Sequence, residues 1–253
     1  MGTYLSWNGA APINCFLKKR GLLKESWQLR WKPVCGSTEI ELAKWLKSSP
    51  LQKNNLRAFF SGKQSFGKGQ RGRIWNSLNG GVWVSVAMNC YKERLSVGLF
   101  GLAVAVSLAH RLEKDSIRVK IKWPNDLLVD GKKLAGLLPR IVYRGSNPNL
   151  MCIGIGLNVA NRVPKEGISL SKIDCPKNIS IPHWSCESLF AIEKARLLLE
   201  SSDYLCKEGE RLLWSNKAKK IDSDEIWDIE GLDSDGQLKV KRGFARETWN
   251  RWN

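Results

Sequence analysis

The sequence predicts an α+β fold in which helices cover a mixed sheet and a small β domain follows. The 253 residues suffice for one large domain, or one with a small appendage. Segments typical of helices and strands alternate irregularly and not as βαβ repeats. After residue 220 only short strands and turns remain. We therefore divide the chain into an irregular lead-in (1–34), a main domain (35–220) and a small β domain (221–253).

The main domain opens with a predicted helix and two strands. The spacing Thr38-x-x-Glu41 predicts a capping box at a helix that begins near Ser37. Its inward stripe is expected to contain Ile40, Ala43 and Leu46. Apolar runs at 58–60 and 81–88 predict interior strands, because the second run is apolar on both faces.

A long helix and several strands are predicted next. Apolar residues recur at helical spacing from Leu95 to Ala109, so a helix there is expected to cover a sheet face. β-branched segments between turn residues predict strands at 119–123, 127–129, 134–142 and 150–159. Residues 161–184 are interpreted as a long loop, and a helix pair is predicted to follow it.

Composition restricts the class of protein. No apolar run reaches the ~18 residues that a membrane span requires. A net charge of +17 favours polyanionic partners or indicates a solvated basic surface, and it names no partner by itself. Seven cysteines without a CxxC pair and two histidines predict neither a disulfide framework nor a zinc site. Together with the absence of a visible signal peptide, this favours a cytoplasmic protein.

The segment 64–75 is the richest signal, because three glycines and three cations precede Trp75 in it. Such glycines let backbone amides approach an anion closely, and Lys68, Arg71 and Arg73 would add charge-assisted hydrogen bonds. The glycine spacing fits neither a dinucleotide fingerprint nor a P-loop. It indicates a loop for a phosphate or a carboxylate, with a solvated basic loop as the alternative.

A second signal combines residues 120–126 with the segment 132–136. Strand alternation puts Lys120 and Lys122 on one side, and Pro124 ends the strand, so that Asn125 and Asp126 emerge at its tip. One carboxylate there could hold Mg²⁺ and two lysines could neutralise a phosphate. Taken singly, each lysine is better explained as a surface residue.

A third signal is Gly154-Ile155-Gly156, followed by Asn158. The alternation places glycines on one face of a strand, as needed where a flat ligand lies against the backbone. Glycines that make room for a neighbouring helix or chain explain the pattern equally well.

Taken in order, these motifs resemble those of the biotin protein ligases. The resemblance covers residues 36–159 and rests on Gly36-Ser37-Thr38, Gln64, Gly67–Trp75, Lys122–Leu127, Lys133–Gly136 and Gly154–Asn158. Residues 230–238 resemble the small terminal β domain of that family. Residues 1–34 are too few for a separate DNA-reading domain, so the monofunctional type is expected. The resemblance implies a class II synthetase-like main domain and an SH3-like terminal domain.

The resemblance also implies an activity. ATP and biotin would give biotinyl-5′-AMP, and the biotinyl group would then pass to a lysine of the biotin carboxyl carrier protein of acetyl-CoA carboxylase. Orientation, Mg²⁺ and cations can support the first step, so no side-chain nucleophile is required. Neither specific DNA nor a membrane is an expected partner, and we expect a monomer or a weak homodimer.

The resemblance also implies which residues form the site, because each family motif can be matched position by position to this sequence. The catalytic residues would be Arg71, Lys122, Asp126 and Lys133, and Asp126 would also bind the metal. Biotin would be bound by Ser37, Thr38, Glu39, Gln64, Lys68, Gly69, Gln70, Lys133 and Gly136. ATP would be bound by Gly67, Lys68, Arg71, Arg73, Trp75, Asn125, Lys133 and Asn158.

Three positions depart from the family's pattern. Glu39 stands where Asn is frequent, Lys68 where Arg is frequent, and Gln70 where the best-known bacterial enzyme has Arg. Loss of a guanidinium at position 70 predicts looser retention of the adenylate, unless Arg71 and Arg73 compensate.

Two alternatives stay open. A lipoyl or octanoyl ligase or transferase would share the fold, although the loop 67–73 with Trp75 favours biotin. A basic nucleic-acid-binding protein would explain the charge but not the segments 122–127 and 133–136, and the salt dependence of DNA retention would separate the two.

Overall fold

The computed structural model describes residues 13, 14, 18, 26–174, 179–221 and 223–250. The larger sheet consists of β1 (Ser26–Cys35), β2 (Asn55–Gln64), β3 (Val82–Asn89), β4 (Lys120–Lys122), β5 (Asp126–Val129), β6 (Lys132–Arg144) and β7 (Asn147–Leu157). Its strand order is β1-β2-β3-β7-β6-β5-β4. β1 is parallel to β2 and the other neighbours are antiparallel, so the predicted mixed sheet is confirmed.

The rest of the described chain contains helices and a smaller sheet. The longer helices are α1 (Thr38–Ser48), α2 (Val97–Lys114), α3 (Ile181–Leu198) and α4 (Ser202–Leu212). The smaller sheet contains β8 (Lys217–Lys219), β9 (Ile226–Leu232), β10 (Leu238–Arg242) and β11 (Ala245–Trp249). It is antiparallel, in the order β11-β10-β9-β8. None of the helices in the described ranges has an apolar stretch long enough to cross a bilayer.

Different helices cover the two faces of the large sheet. On one face α2, which is buried along most of its length, packs against β6, α3 and α4. On the other face Leu42 and Trp45 of α1 pack against Phe59, Ala87 and Cys152. Because α1 is short, it covers only part of this second face.

The prediction of an irregular lead-in is wrong for residues 26–34, which form most of β1. Trp27, Leu29 and Trp31 pack against the core of the protein. The residues between them are polar, so a period of two is present in the sequence. The expectation that no DNA-reading module precedes residue 35 falls largely on residues outside the described ranges.

The predicted start of α1 is confirmed, but its capping box and inward stripe are wrong. Ser37 is the N-cap residue and its side chain makes no capping hydrogen bond. The Glu41 carboxylate instead accepts a hydrogen bond from Lys32 Nζ at 2.6 Å, which holds the pKa of Glu41 below its usual value. The buried stripe contains Thr38, Leu42 and Trp45, whereas two of the three predicted members, Ile40 and Ala43, are exposed.

The later elements agree with the predictions in type and order, although their ends differ. The predicted loop 161–184 is too long, because α3 begins at Ile181. The small sheet includes β8 and therefore begins at Lys217, before the predicted boundary at 221. The SH3-like topology stays a prediction.

A turn of the small sheet is fixed against the main domain. Trp123 Nε1 donates a hydrogen bond to the Gly236 carbonyl oxygen at 3.0 Å, and Ser96 Oγ donates one to the Asp235 carbonyl oxygen at 2.7 Å. A Cβ at Gly236 would lie 3.1 Å from the backbone of Leu99 in α2. The turn is thus linked to the residue that precedes Pro124 at the tip of β4.

Candidate active site

Small residues leave a hollow on the α1 face of the large sheet, beyond the end of the helix. Ser85, Gly154 and Gly156 lie on this face, because they are two or four residues along their strands from Ala87 and Cys152, which α1 covers. Gly136 is paired with Gly156 and continues the hollow onto β6. Because the three glycines have no Cβ atoms, another group can lie close to the backbone there.

One end of the hollow is a network of neutral hydrogen-bonding side chains. The Thr38 amide donates to Gln64 Oε1 at 2.7 Å, and Thr38 Oγ1 donates to the same oxygen at 3.1 Å. Gln64 Nε2 donates to Ser77 Oγ at 2.8 Å. Since the Thr38 hydroxyl proton is used, the Ser85 hydroxyl donates to Thr38 Oγ1 across their 2.8 Å contact. These hydrogen bonds orient the Gln64 amide, and they leave the Ser85 oxygen free to accept a hydrogen bond.

Trp75 forms one side of the hollow. A Cβ at Gly156 would lie 2.6 Å from the Trp75 indole, and one at Gly136 would lie 2.9 Å from it, so the ring rests directly on the two glycines. Its edge meets the Trp83 ring at 6.4 Å between centroids. Trp75 Nε1 is buried and has no hydrogen-bond partner among the described residues. Part of the glycine face is therefore occupied by this chain's own aromatic ring.

The other end of the hollow is charged. Asp126, the first residue of β5, lies with its Oδ1 2.6 Å from Lys133 Nζ, and that ammonium lies 4.7 Å from the centroid of the Trp75 ring. The backbone of Lys133 is fixed by hydrogen bonds to the Glu166 carbonyl and from the Ile168 amide. Asn125 is fixed by reciprocal bonds with Leu137, one of them from its side-chain amide. The Asp126–Lys133 ion pair therefore sits on a rigid support.

The glycine-rich loop covers the hollow as a tight hairpin. The Gly69 amide donates to the Arg73 carbonyl at 2.7 Å, and the Trp75 amide donates to the Gly67 carbonyl at 2.8 Å. At the tip, Arg71 has φ 56° and Gly72 has φ 71°, so both lie in the left-handed region, which costs a non-glycine residue about 1 kcal/mol. Within the described chain, the cations of this loop form no ion pair, so they are available to an anion.

Two connected cavities bring most of the predicted site residues together. The smaller one, which we call the pocket, has a volume of about 290 Å³. Thirteen predicted residues line it: Ser37, Thr38, Glu39, Gln64, Lys68, Gly69, Gln70, Arg73, Trp75, Asn125, Asp126, Lys133 and Gly136. The larger one, which we call the cleft, has a volume of about 880 Å³, and Arg71 and Lys122 line it. The cavities share Gln70, Arg73, Asn125 and Asp126.

Gly67 and Asn158 line neither cavity. A Cβ at Gly67 would lie 2.5 Å from the Trp75 carbonyl oxygen, so this glycine permits the loop to close on itself. Asn158 Nδ2 donates to the Lys133 carbonyl oxygen at 3.3 Å, and Asn158 Oδ1 accepts from Asn161. Both residues support the pocket from behind, and their contact with a nucleotide stays a prediction.

The sequence reasoning missed Ser77 and Ser85, which complete the neutral network. Ser85 is 3% exposed and lies in the run 81–88, which was interpreted only as an interior strand. A single hydroxyl in such an apolar run is the signal that could have identified it. The reasoning also missed Arg140, whose Nε lies 3.5 Å from Glu39 Oε1 and which therefore offsets the charge of Glu39.

The buried thiols are poor nucleophiles. Burial raises the pKa of the Cys35 thiol above its usual value. It also raises the pKa of Cys152 to about 11 and that of Cys206 to about 11. These groups stay protonated near neutral pH, because the thiolate is disfavoured away from water.

The described residues contain no cluster of three or more side chains of the metal-binding types. The charged end offers one carboxylate, Asp126, beside lysines. Mg²⁺ commonly keeps several waters and takes one or two protein carboxylates together with substrate phosphates. The site therefore fits an ion that arrives with a nucleotide, and it does not fit one held by protein alone.

Comparison with known proteins identifies the family of this region. Residues 36–158 match the biotin/lipoate A/B protein ligase family. The chain is 35% identical over 106 residues to the bifunctional ligase/repressor BirA of Bacillus subtilis, covering 41% of this chain and 32% of that protein. It is 31% identical over 155 residues to biotin–protein ligase 2 of Arabidopsis thaliana, covering 58% of this chain and 46% of that protein. The matches thus span less than half the length of these two relatives.

Solved structures show the same fold over most of the chain. Biotin protein ligase from Aquifex aeolicus, in complex with biotin and ATP, superposes with a TM-score of 0.71 at 22% identity, covering 90% of this chain and 96% of that one. The Leishmania major ligase with biotinyl-5-AMP gives a TM-score of 0.59 at 20% identity, covering 90% and 100%. The fold is that of the biotin protein ligases, and the match to the biotin/lipoate A/B protein ligase family covers residues 36–158.

Proposed function

We propose that this protein is an ATP-dependent ligase that activates biotin as biotinyl-5′-AMP and transfers the biotinyl group to a lysine of a carrier protein. One observation carries the proposal: a single pocket joins a neutral hydrogen-bonding network to the Asp126–Lys133 ion pair. A substrate with a polar neutral head and a carboxylate tail matches both ends. The family match and the similar ligase structure in complex with biotin and ATP support these two small molecules.

The neutral end suits the ureido ring of biotin. That ring has one carbonyl acceptor and two N–H donors, and Ser37, Thr38 and Ser85 supply hydroxyl groups around it. The valeryl chain would run along Trp75 and the glycines, where apolar contact is available. Its carboxylate would then reach Lys133, which is 32% exposed at the charged end.

In the first step a biotin carboxylate oxygen attacks the α-phosphorus of ATP. The new bond is acyl O–P, the bond between the α-phosphorus and the bridging oxygen breaks, and pyrophosphate leaves. Lys133 offsets negative charge on both partners, while Arg71, Arg73 and Lys122 lie on the cleft side toward which the phosphates would extend. Mg²⁺, when bound with ATP, would supply further charge neutralisation, with Asp126 as the residue that faces it. Orientation and preorganised charge are the expected sources of catalysis.

In the second step the neutral amine of an acceptor lysine attacks the acyl carbon. An amide forms, the acyl C–O bond to AMP breaks, and the amine loses a proton. Since an unperturbed lysine has a pKa near 10.4, the acceptor must be deprotonated on docking. Asp126 lines both cavities, so its carboxylate can accept that proton from a lysine that enters the cleft. The acetyl-CoA carboxylase carrier is the specific acceptor that we propose.

A lipoyl or octanoyl substrate fits the neutral end poorly. A dithiolane or an alkyl tail offers no N–H to the Ser85 oxygen, which the network leaves free to accept a hydrogen bond, and a buried polar group left unpaired costs about 1–3 kcal/mol. A nucleic-acid-binding role would leave the closed network of Thr38, Gln64 and Ser85 without a use. Both alternatives are therefore less well supported.

Purified protein incubated with ATP, Mg²⁺, biotin and a biotin carboxyl carrier domain tests the proposal. We expect biotin on the acceptor lysine, detected by mass spectrometry, and none on a carrier whose acceptor lysine is replaced by arginine. Biotin-dependent pyrophosphate release is the matching readout without a carrier. Equal release with lipoate or octanoate, or none with biotin, would overturn the assignment.

A further inference from the structure

We infer that the cleft is a docking surface for an acidic face of the folded acceptor domain, with Lys217 of β8 as a specificity-determining contact outside the pocket that would hold the activated acyl group. This inference rests on the proposed function, and it assigns to the small β sheet a part in choosing the protein acceptor.

Cations dominate the described lining of the cleft. Arg71, Arg73, Lys122, Lys217, Lys219 and Lys220 line it, against the carboxylates Asp126 and Asp224. Both carboxylates are already paired, Asp126 with Lys133 and Asp224 with Lys219. Arg71, Arg73, Lys122 and Lys217 take no part in any ion pair with a described residue. In the proposed reaction Arg71, Arg73 and Lys122 face the phosphates of ATP, so Lys217 is the cation whose charge is available to a protein partner, and it favours an acidic one.

The position of the cleft connects docking to transfer. It shares Asn125 and Asp126 with the pocket, so a body seated in it adjoins the charged end where the acyl group would be held. It is also lined by Lys217, Ile229 and Leu238 of the small sheet, which do not line the pocket and have no assigned part in activating biotin. The volume of about 880 Å³ leaves room beyond a nucleotide.

The cleft also offers an apolar anchor. Trp214 lines it and is 46% exposed, although its ring packs against Gly131. The Trp214 amide donates to the Ile121 carbonyl at 2.9 Å, which fixes the residue beside β4. A fixed, half-exposed tryptophan among unpaired cations is typical of protein interfaces. Nucleic acid would use the same charge, so it is the competing outcome in the test.

Lys217→Glu, compared with Lys194→Glu, tests the inference. Lys194 is an exposed residue of α3 that does not line the cleft, so its variant carries the same change in net charge. Three quantities are measured for each protein. They are interception of biotinyl-AMP by hydroxylamine, kcat/KM for a carrier domain of net negative charge, and direct binding of that domain by fluorescence anisotropy.

We expect Lys217→Glu to reduce kcat/KM for the carrier and its binding about tenfold at ~0.05 M salt, and less at ~1 M salt, where the Debye length is about 3 Å. Hydroxamate formation would stay unchanged, and Lys194→Glu would behave as wild type. An equal loss in hydroxamate formation, or no loss in either carrier assay, overturns the inference. So does displacement of the carrier by a DNA oligonucleotide whose binding also depends on Lys217.

The same measurements separate this inference from the proposed function. If wild-type protein forms no hydroxamate but binds the carrier in a Lys217-dependent manner, the ligase assignment fails and the docking surface stands. If hydroxamate forms and carrier binding does not depend on Lys217, the docking surface fails and the ligase assignment stands.

Discussion

The two ends of the pocket use different chemistry, although they lie on one face of the same sheet. At the neutral end, Thr38, Gln64 and Ser85 bond to one another, and these partners come from α1, β2 and β3. At the charged end, Asp126 of β5 forms an ion pair with Lys133 of the neighbouring strand β6. The first arrangement is a closed network that is already oriented before a ligand enters.

This difference indicates a division of labour along the pocket. A preoriented neutral network discriminates ligands by which hydrogen bonds they can complete, because an unmatched buried group is costly. An ion pair at a partly exposed opening can exchange partners, so Lys133 can turn from Asp126 to an incoming carboxylate or phosphate. We therefore expect changes at the neutral end to affect biotin affinity and changes at the charged end to affect the rate of the reaction.

Lys133→Ala is the strongest test of the charged end. Loss of the ammonium leaves Asp126 unpaired and removes positive charge from the reacting groups, so we expect kcat for biotin-dependent pyrophosphate release to fall about 10²- to 10³-fold. The KM for biotin is expected to change much less. Lys132→Ala is the matched control, because Lys132 is exposed, adjacent and lines neither cavity. A variant with full activity would remove Lys133 from the mechanism.

Thr38→Val tests the neutral end at nearly constant shape. The variant removes the hydroxyl that donates to Gln64 Oε1 and accepts from Ser85. The cost of about 1–3 kcal/mol corresponds to a KM for biotin raised roughly 10- to 100-fold, with kcat little changed. Steady-state pyrophosphate release measures both constants, and Thr248→Val on the exposed β11 position is the control. A fall in kcat at constant KM would contradict the proposed division.

Gly156→Ala tests the region between the two ends. The added methyl group would meet the Trp75 ring at 2.6 Å, so the ring must move, whereas the methyl group of Gly154→Ala meets its nearest neighbour at 3.6 Å. Overpacking of about 1–3 kcal/mol predicts a loss of biotin affinity of about tenfold for the first variant. The second variant is expected to lose less. Tryptophan fluorescence reports ring displacement, and equal effects of the two variants would show that Trp75 does not form part of the pocket.

Much of this arrangement could be predicted from local sequence, because glycine and proline encode local backbone geometry. The loop 64–75 and the tip after Pro124 were predicted to hold an anion site, and the structure places both around one pocket. The long helix α2 was predicted from spacing alone, since its apolar residues recur regularly. Such features need only short-range information.

Other parts depend on strand register, which short-range patterns do not encode. Ser85 meets Thr38 because β3 lies beside β2, and Trp75 rests on Gly136 and Gly156 because β6 lies beside β7. The glycine alternation was interpreted as a place for a flat ligand, or for a neighbouring helix or chain, whereas the structure places the Trp75 ring of the glycine-rich loop against Gly136 and Gly156. The missed strand β1 is a different case, because its alternation was present in the sequence and was overlooked.

Alkylation of the thiols is expected to have the smallest effect, because neither end of the pocket uses a side-chain nucleophile. Burial raises the pKa of Cys152 to about 11, so iodoacetamide at pH 8 should spare it and, among the thiols that the structure describes, label the half-buried Cys90 first. Peptide mass spectrometry measures the labelling and pyrophosphate release measures activity. Because the pKa of Cys152 is higher in the folded than in the unfolded protein, its protonated thiol stabilises the folded state. This contribution is fully present below pH about 8.5, the usual thiol pKa, and is lost as the pH approaches 11. Rapid labelling of Cys152 that biotin prevents, together with loss of activity, would place a thiol in the reaction and contradict a mechanism based on orientation and charge alone.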